Sequence, residues 1–452
     1  MTYIGLLAGL ALLIWLALRG INVVFASLLC SLIVIATNGL PLAEALSQNY
    51  ALGPLGAFTF AGKFFVLFVT GAIFGRVMGE SQAAASIAQG LINLLGRERI
   101  LWIIVIASAL LTYGGVVVFV VIFAMYPLGL KLLAEANLPK RLFLGAIALG
   151  AGTFTLTALP GTPSIHNVIP SVALGTDLYA GAWLGILGGV LMFVMGMWYL
   201  ERERAKAMAC GETFDPAPTD TLSQSNGSAG SPPHWAAALL PLLVVLLIIV
   251  SPRLFSSAPG SLGELMTFGN KQPILWPSIA LVAGSALASL MFSGVRKNAL
   301  SIWGLGTQES IMPLISTAAV IGFGGVVTQT QGFQVFTHLV AESSLPPLLS
   351  MFTSVSVVSA ITGSASGGLQ IFMQTMAPLY IAQGIDPEVL HRLVAMASAG
   401  FDSLPHCGAV IAMLTITGMT HKGGYKEVAV TTVIIPVLAT LITLGVYSVV
   451  AG

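Results

Sequence analysis

From residue 3 to residue 450, this 452-residue chain is a succession of apolar runs, many of them close to the roughly 20 residues that cross a bilayer as a helix. Nothing constrains the fold more, because in lipid each backbone N–H and C=O must find its partner within the protein. Composition agrees: 56% of residues are hydrophobic and 8% charged, against about 45–50% and about 25% in soluble domains. The bilayer is therefore the solvent, and the chain is expected to be an all-α polytopic membrane protein. A net charge of +1 without any basic tract gives no ground for a nucleic-acid partner. Cys30, Cys210 and Cys407 are scattered and odd in number, which suits neither a disulfide framework nor a metal site. No cofactor is expected. The first run, residues 3–18, has no basic residue before it and no small-residue cleavage site after it, so it is read as a retained helix rather than a leader.

Full spans are expected at 3–18, 21–39, 57–77, 141–175 and 178–200, and again at 235–252, 274–292, 309–328, 389–419 and 428–450. The spans at 141–175 and 389–419 are interrupted. Between the two sets, residues 201–234 are charged and then Ser/Gly/Pro-rich, the composition of a flexible linker. Two further runs, 100–131 and 345–383, break at Thr112–Gly115 and Thr362–Gly368. An arm of about a dozen residues reaches roughly 18–20 Å at 1.5 Å per residue, short of the ~30 Å hydrocarbon core. Each run is expected to be a re-entrant hairpin, with one long kinked helix or two tilted short spans as the alternatives.

Basic residues near span ends stay cytoplasmic. With the linker inside, fourteen of the eighteen Lys and Arg fall on that side, leaving Lys63, Arg253, Lys271 and Arg392. Both termini are then periplasmic, and the hairpins enter from opposite faces. Lys63 is expected to snorkel to the interface, and Glu309 to sit at a helix start, where the dipole favours it.

Sliding the chain against itself by 245–251 residues aligns Phe74-Gly75 with Phe323-Gly324, Pro127 with Pro378, Pro139 with Pro387, Gly152 with Gly400 and Leu159-Pro160 with Leu404-Pro405. The ordered set points to a duplication, residues 1–200 repeated in 235–452. A unit with an odd number of full spans repeats upside down, as in many secondary transporters.

In such a fold the ligand sits at midplane, where interrupted helices present N-termini and free backbone. At the first break Thr162-Pro163 resembles an N-cap followed by proline at the first helical position. At the second, Asp402 or Ser403 is placed to cap a helix restarting at Pro405. The two hairpin tips and two breaks would bring together Tyr113, Gly114, Gly115, Thr157, Gly161, Thr162, Ser164, His166 and Asn167 with Thr362, Gly363, Ser364, Ser366, Gly367, Ser403 and His406. Hydroxyls and partly positive helix ends suit a carboxylate, glycines let backbone approach it, and no buried arginine clamp is evident. His166 is equally readable as a satisfied hydrogen-bonding residue, and the glycines as tight helix packing. Asp402 is the ionisable group most exposed to suspicion at this depth. Burial favours its neutral form and His406 its charged form, so the two are candidates for exchanging a proton as the site opens, unless Asp402 is only a cap. Sodium coordinated by hydroxyls and carbonyls is the competing coupling. A hydrolase built on Ser403 or Cys407 with His406 would place nucleophile and base within three residues on one break, and a channel has no need of two matched hairpins.

The runs AMASAGFDSLPHCGAVIAMLTITGMTHKGGYKEV (395–428), ITGSASGGL (361–369) and TALPGTPSIHN (157–167) resemble the gluconate permease (GntP-type) family, its 3-hydroxybutyrate-permease-like branch most of all. The resemblance covers nearly the whole chain. It implies a proton symporter of small hydroxy acids such as gluconate or 3-hydroxybutyrate, in the inner membrane. It also implies the scaffold and transport domains of the ion-transporter superfamily, a homodimer, and an elevator-like motion. Cys407 stands where an asparagine is expected after Leu-Pro-His, which leaves the choice of acid open.

Overall fold

The computed structural model describes residues 2–19, 21–116, 118–215, 232–255, 259–341, 344–405 and 407–451, and every described element is helical. Five of the described helices are long and apolar enough to cross a membrane alone, or up to seven spans if each of two bent pairs counts as one. The Thr2–Leu18 and Val23–Asn38 helices, of 17 and 16 residues, reach about 24–26 Å at 1.5 Å per residue, just short of the core thickness.

The helices pack into two groups. In the first, Thr2–Leu18, Val23–Asn38, Ala57–Glu80, Trp235–Leu254, Leu275–Met291 and Ala299–Val327 lie against one another. Ala57–Glu80 and Ala299–Val327 form its centre, and small residues set their spacing. A Cβ on Gly306 would stand 2.8 Å from the Ile73 Cα. Lipid tails are as apolar as leucine, so helices in a membrane associate through such close backbone approach rather than through hydrophobic burial. The Ala299–Val327 helix begins ten residues before the expected span, which leaves Glu309 in its interior. There it meets Arg76 at 2.6 Å instead of serving a helix start.

The second group holds both interrupted runs and both broken helices. The first hairpin is Ile100–Tyr113 and Val118–Glu135, and the second is Pro347–Thr362 and Ala365–Thr375, each packed arm against arm. The first broken helix runs Lys140–Gly152 and Phe154–Thr157, then resumes as Ile165–Leu174. The second runs Pro387–Ser398, passes through one 3-10 turn at Phe401–Ser403, and resumes as Gly408–Ile416. Gly161 at φ +81° and Gly400 at φ +103° carry the chain through the two breaks, a left-handed region that a side chain would resist. Ala182–Ala209 and the helix from His421 to Ala451 cover this group, the latter containing a π-helical turn at Val430–Ile434.

Sequence patterning missed the shorter helices Ala45–Leu52, Ala83–Leu95, Ser261–Asn270 and Gln331–Ala341. The expected linker also starts late, because Ala182–Ala209 continues nine residues past Leu200. Glu, Arg, Ala and Lys are good helix formers, and Glu201–Arg204 and Glu203–Lys206 pair one turn apart at 2.6 and 2.8 Å. Beyond it, Glu212 meets Arg141, which also binds Glu203 and Glu427 at 3.3 and 2.5 Å. Most of the remaining linker, residues 216–231, lies outside the described residues.

Candidate functional site

A cavity of about 560 Å³ lies between the two groups, and its two walls differ in chemistry. The first group contributes Leu13, Leu67, Phe68, Leu281, Met312 and Val320, relieved by Ser316 and Thr317. The second contributes both hairpin tips and both helix breaks, which set hydroxyls, His166 and Asp402 among apolar side chains such as Leu156, Ile165, Val410 and Met413. Freed backbone at membrane depth is tolerated only where protein or a cavity receives it.

Nine of the expected site residues line this space: Gly115, Ser164, His166, Thr362, Gly363 and Ser364, with Ser366, Asp402 and Ser403. Seven stand behind it. The Tyr113 hydroxyl donates to the Pro160 carbonyl at 2.8 Å. Gly114 packs on Leu242 and Gly161 on the Tyr179 ring. Thr157 donates to the Thr153 carbonyl one turn back. Thr162 is fully buried, its hydroxyl accepting from the Ser164 N–H, and Gly367 donates its N–H to Ser364 Oγ. Asn167 Nδ2 donates to the carbonyls of Thr162 and Leu178 at 2.9 and 3.0 Å, while its Oδ1 faces His391 Nε2 at 2.8 Å. Asn167 is thus a structural knot tying the two broken helices together. His406 lies outside the described residues.

Capping at the breaks differs from the sequence expectation. The first restarted helix is capped by Ser164, not Thr162: Ser164 Oγ accepts from the His166 N–H and lies 2.9 Å from His166 Nδ1. Pro163, Ser164, Ile165 and His166 all face the cavity, so this N-terminus opens onto it. At the second break Leu404 is extended and the helix restarts at Gly408, with no side-chain oxygen capping it. Asp402 lies beside another element. Its carboxylate accepts the Ser403 hydroxyl at 3.0 Å, and the backbone N–H groups of Gly400, Ser403 and Ala365 stand near it. Ala365 is the first residue of the second arm of the second hairpin, whose N-cap is Ser364. The positive end of that arm therefore lies beside a carboxylate, which the dipole favours.

Residues outside the expected binding set also line the cavity, among them Thr112, Gly152, Cys407 and Thr432. Thr432 belongs to the π-helical turn, a local insertion that often marks functional positions; no sequence signal announced it.

A buried arginine is present, but it does not reach the ligand space. Arg392 is fully buried, and its guanidinium donates to the carbonyls of Ala180, Ala158 and Leu178 at 3.0, 3.2 and 3.1 Å. It clamps the protein's own backbone, at the end of Phe154–Thr157 and in the turn after Ile165–Leu174, and does not line the cavity. A reciprocal contact joins the other pair of ends: Lys140 Nζ donates to the Thr417 carbonyl at 2.8 Å, just past Gly408–Ile416. In each case a cation on the first arm of one broken helix satisfies carbonyls freed by the other.

On one side the groups touch through charge. Arg253, at the end of Trp235–Leu254, pairs with Asp177 at 3.1 Å and stands 5.4 Å from the centre of the Tyr179 ring.

The model of the GntP family permeases matches residues 1–450. YxjC, an uncharacterized transporter of Bacillus subtilis, is 36% identical over 477 aligned positions that cover 99% of each chain. The high-affinity gluconate transporter of Escherichia coli is 23% identical, covering 87% of both. The crystal structure of the YdaH transporter of Alcanivorax borkumensis shares the fold at a TM-score of 0.56 and 14% identity, over 87% of this chain and 88% of that one. With a family match along nearly its whole length and a 36% identical relative end to end, the chain belongs to the GntP permease family and is a multi-pass membrane transporter, not an enzyme.

Proposed function

We propose that this permease carries a small hydroxy-acid anion across the inner membrane together with a proton, the second helix group moving as one body past the first. The observation that carries the reading is the position of Asp402, the only carboxylate lining the cavity among the described residues, beside the N-terminus of Ala365–Thr375. An incoming carboxylate finds two helix N-termini there, Ile165–Leu174 and Gly408–Ile416, but also the Asp402 charge. Two like charges about 4 Å apart repel by ~4 kcal/mol at an effective dielectric of 20. Binding of the anion therefore requires a proton on Asp402, and release of one favours release of the other. That linkage is symport.

The two unlike walls support an elevator-like motion. A ligand held by hydroxyls and helix ends of the second group meets only apolar side chains and two hydroxyls on the first, which offer little to hold it in place. The same apolar wall favours an acid with an apolar end, of the 3-hydroxybutyrate type, over the fully hydroxylated gluconate carried by the Escherichia coli relative. The reciprocal Lys140 and Arg392 contacts support two inverted repeats, residues 1–200 and 235–452, with termini periplasmic and the 201–234 linker cytoplasmic. Two such chains are expected to pair through their first groups.

The test is uptake by proteoliposomes under an imposed pH gradient and, separately, a sodium gradient. The wild type should concentrate acid only under the pH gradient. Asp402→Asn, a mimic of the neutral acid, should still bind and exchange substrate but lose accumulation. Accumulation driven by sodium alone, or an Asp402→Asn protein that keeps full pH-gradient dependence, would overturn the reading.

A further inference from the structure

A neutral histidine donates from one ring nitrogen and accepts at the other, and the neighbour of one nitrogen decides the role of both. At the first break that neighbour is Ser164. Its Oγ accepts the His166 backbone N–H at 3.3 Å and lies 2.9 Å from His166 Nδ1. Among the described residues the Ser164 hydroxyl has no acceptor other than Nδ1. Its proton therefore goes to Nδ1, which leaves the ring neutral with its own proton on Nε2. Satisfying both groups at once fixes this tautomer. The surroundings of Nε2 are different. His166 is partly exposed and lines the cavity, and its Nε2 has no hydrogen-bond partner among the described residues. Thr112 Oγ1 is also unpartnered, but it is sealed; His166 Nε2 is not. Other polar side chains of the same wall direct their protons inward: Thr362 donates to the Val358 carbonyl, Thr432 to that of Val428, and Ser403 to Asp402.

We infer that His166 is a substrate-binding residue whose neutral ring donates its Nε2–H to the carboxylate of the transported acid, with Ser164 as the positioning residue that holds the tautomer. The assignment rests on the transport reading above and divides its labour: Asp402 exchanges the proton, and His166 binds the anion without exchanging one. A donor fixed beforehand needs neither rotation nor proton uptake when the acid arrives, and a hydrogen bond to a carboxylate is stronger than one between neutral groups.

The experiment separates the two ring nitrogens. Asparagine carries its amide where Nδ1 lies, and glutamine where Nε2 lies. His166→Asn thus keeps a partner for Ser164 and loses the cavity donor, while His166→Gln keeps the donor and loses the partner. Calorimetric titration of the purified full-length protein with 3-hydroxybutyrate and with gluconate reads the result. His166→Asn should bind the acid that the wild type binds about tenfold or more weakly, and His166→Gln should retain most of the affinity. A ring that serves only to hold Ser164 gives the opposite order, so an asparagine variant that binds as well as the glutamine variant, or better, overturns the assignment and leaves transport standing. If both variants fail to fold, the wild type decides. With ring-15N histidine in the protein and a 13C-carboxyl label on the bound acid, solid-state NMR in liposomes should show transfer between the carboxyl carbon and a protonated ring nitrogen, and its absence overturns the assignment. A wild type that binds neither 3-hydroxybutyrate nor gluconate overturns the transport reading, and the assignment with it.

Discussion

Replacing Arg392 by methionine keeps the length of the side chain and removes its five donors, and the structure says where the cost falls. Three carbonyls lose a partner. That of Leu178 keeps two other donors, the Gly161 N–H at 2.9 Å and Asn167 Nδ2 at 3.0 Å, so the loss falls on Ala158 and Ala180. A buried carbonyl left unpaired costs about 1–3 kcal/mol, which gives about 2–6 kcal/mol for the pair before any return from no longer burying a charge. Spread over 452 residues, with an unfolding entropy of ~2.1 cal/mol/K per residue, this lowers the melting temperature by about 2–6 °C. Because Arg392 joins the second broken helix to the ends of the first, the same substitution should slow transport more than it weakens substrate binding. Arg392→Lys, which restores charge but reaches fewer carbonyls, should fall between. Melting of purified protein in detergent, read beside initial uptake rates in liposomes, measures both effects. An Arg392→Met protein that melts and transports like the wild type would refute the claim that this cation holds the two breaks together.

Cys407 lines the cavity, Cys30 is buried in the first group and Cys210 is exposed. In a Cys210→Ser background, a membrane-impermeant maleimide should label Cys407, and bound acid should protect it; labelling that saturating acid leaves unchanged would place Cys407 away from the ligand. A Cβ on Gly325 would lie 2.2 Å from the Asn49 carbonyl oxygen and meet Leu55 as well, so Gly325→Val should give little folded protein by size-exclusion chromatography, where Gly304→Ala, with open space beside it, should behave as wild type. The hydrogen bond from Arg141 holds the Glu212 carboxyl below its usual range. A depressed carboxyl contributes stability above its unfolded pKa and loses it as pH falls through the folded value. Melting of the wild type should therefore drop as pH falls below about 4.5, and Glu212→Gln should remove a small part of that drop, small because Glu212 is 40% exposed.

Whatever depends on local chemistry was legible in the sequence. Run lengths and scarce charge placed the helices, and Pro160-Gly161, Leu404-Pro405, Gly114-Gly115 and Gly363 marked where they stop, because proline removes a donor and glycine alone enters some backbone conformations without strain. The cluster of hydroxyls at those stops, and Asp402 among them, followed from the same punctuation. Arg392 had left a trace as one of four basic residues on the wrong side of the orientation count; a cation that defies the positive-inside rule inside a span needs a buried partner, and that signal was there to be used.

Only the tertiary structure decided the rest, because those choices are made between segments far apart in the chain, two of them more than two hundred residues apart. No local pattern says that Asp402 stands beside Ala365 rather than capping its own helix, that Asn167 faces His391 and not the cavity, or that Lys140 meets Thr417. Thr112 shows the limit most plainly. A threonine in the last turn of an apolar helix ordinarily bonds to the backbone behind it, and only the packing leaves this hydroxyl without a partner.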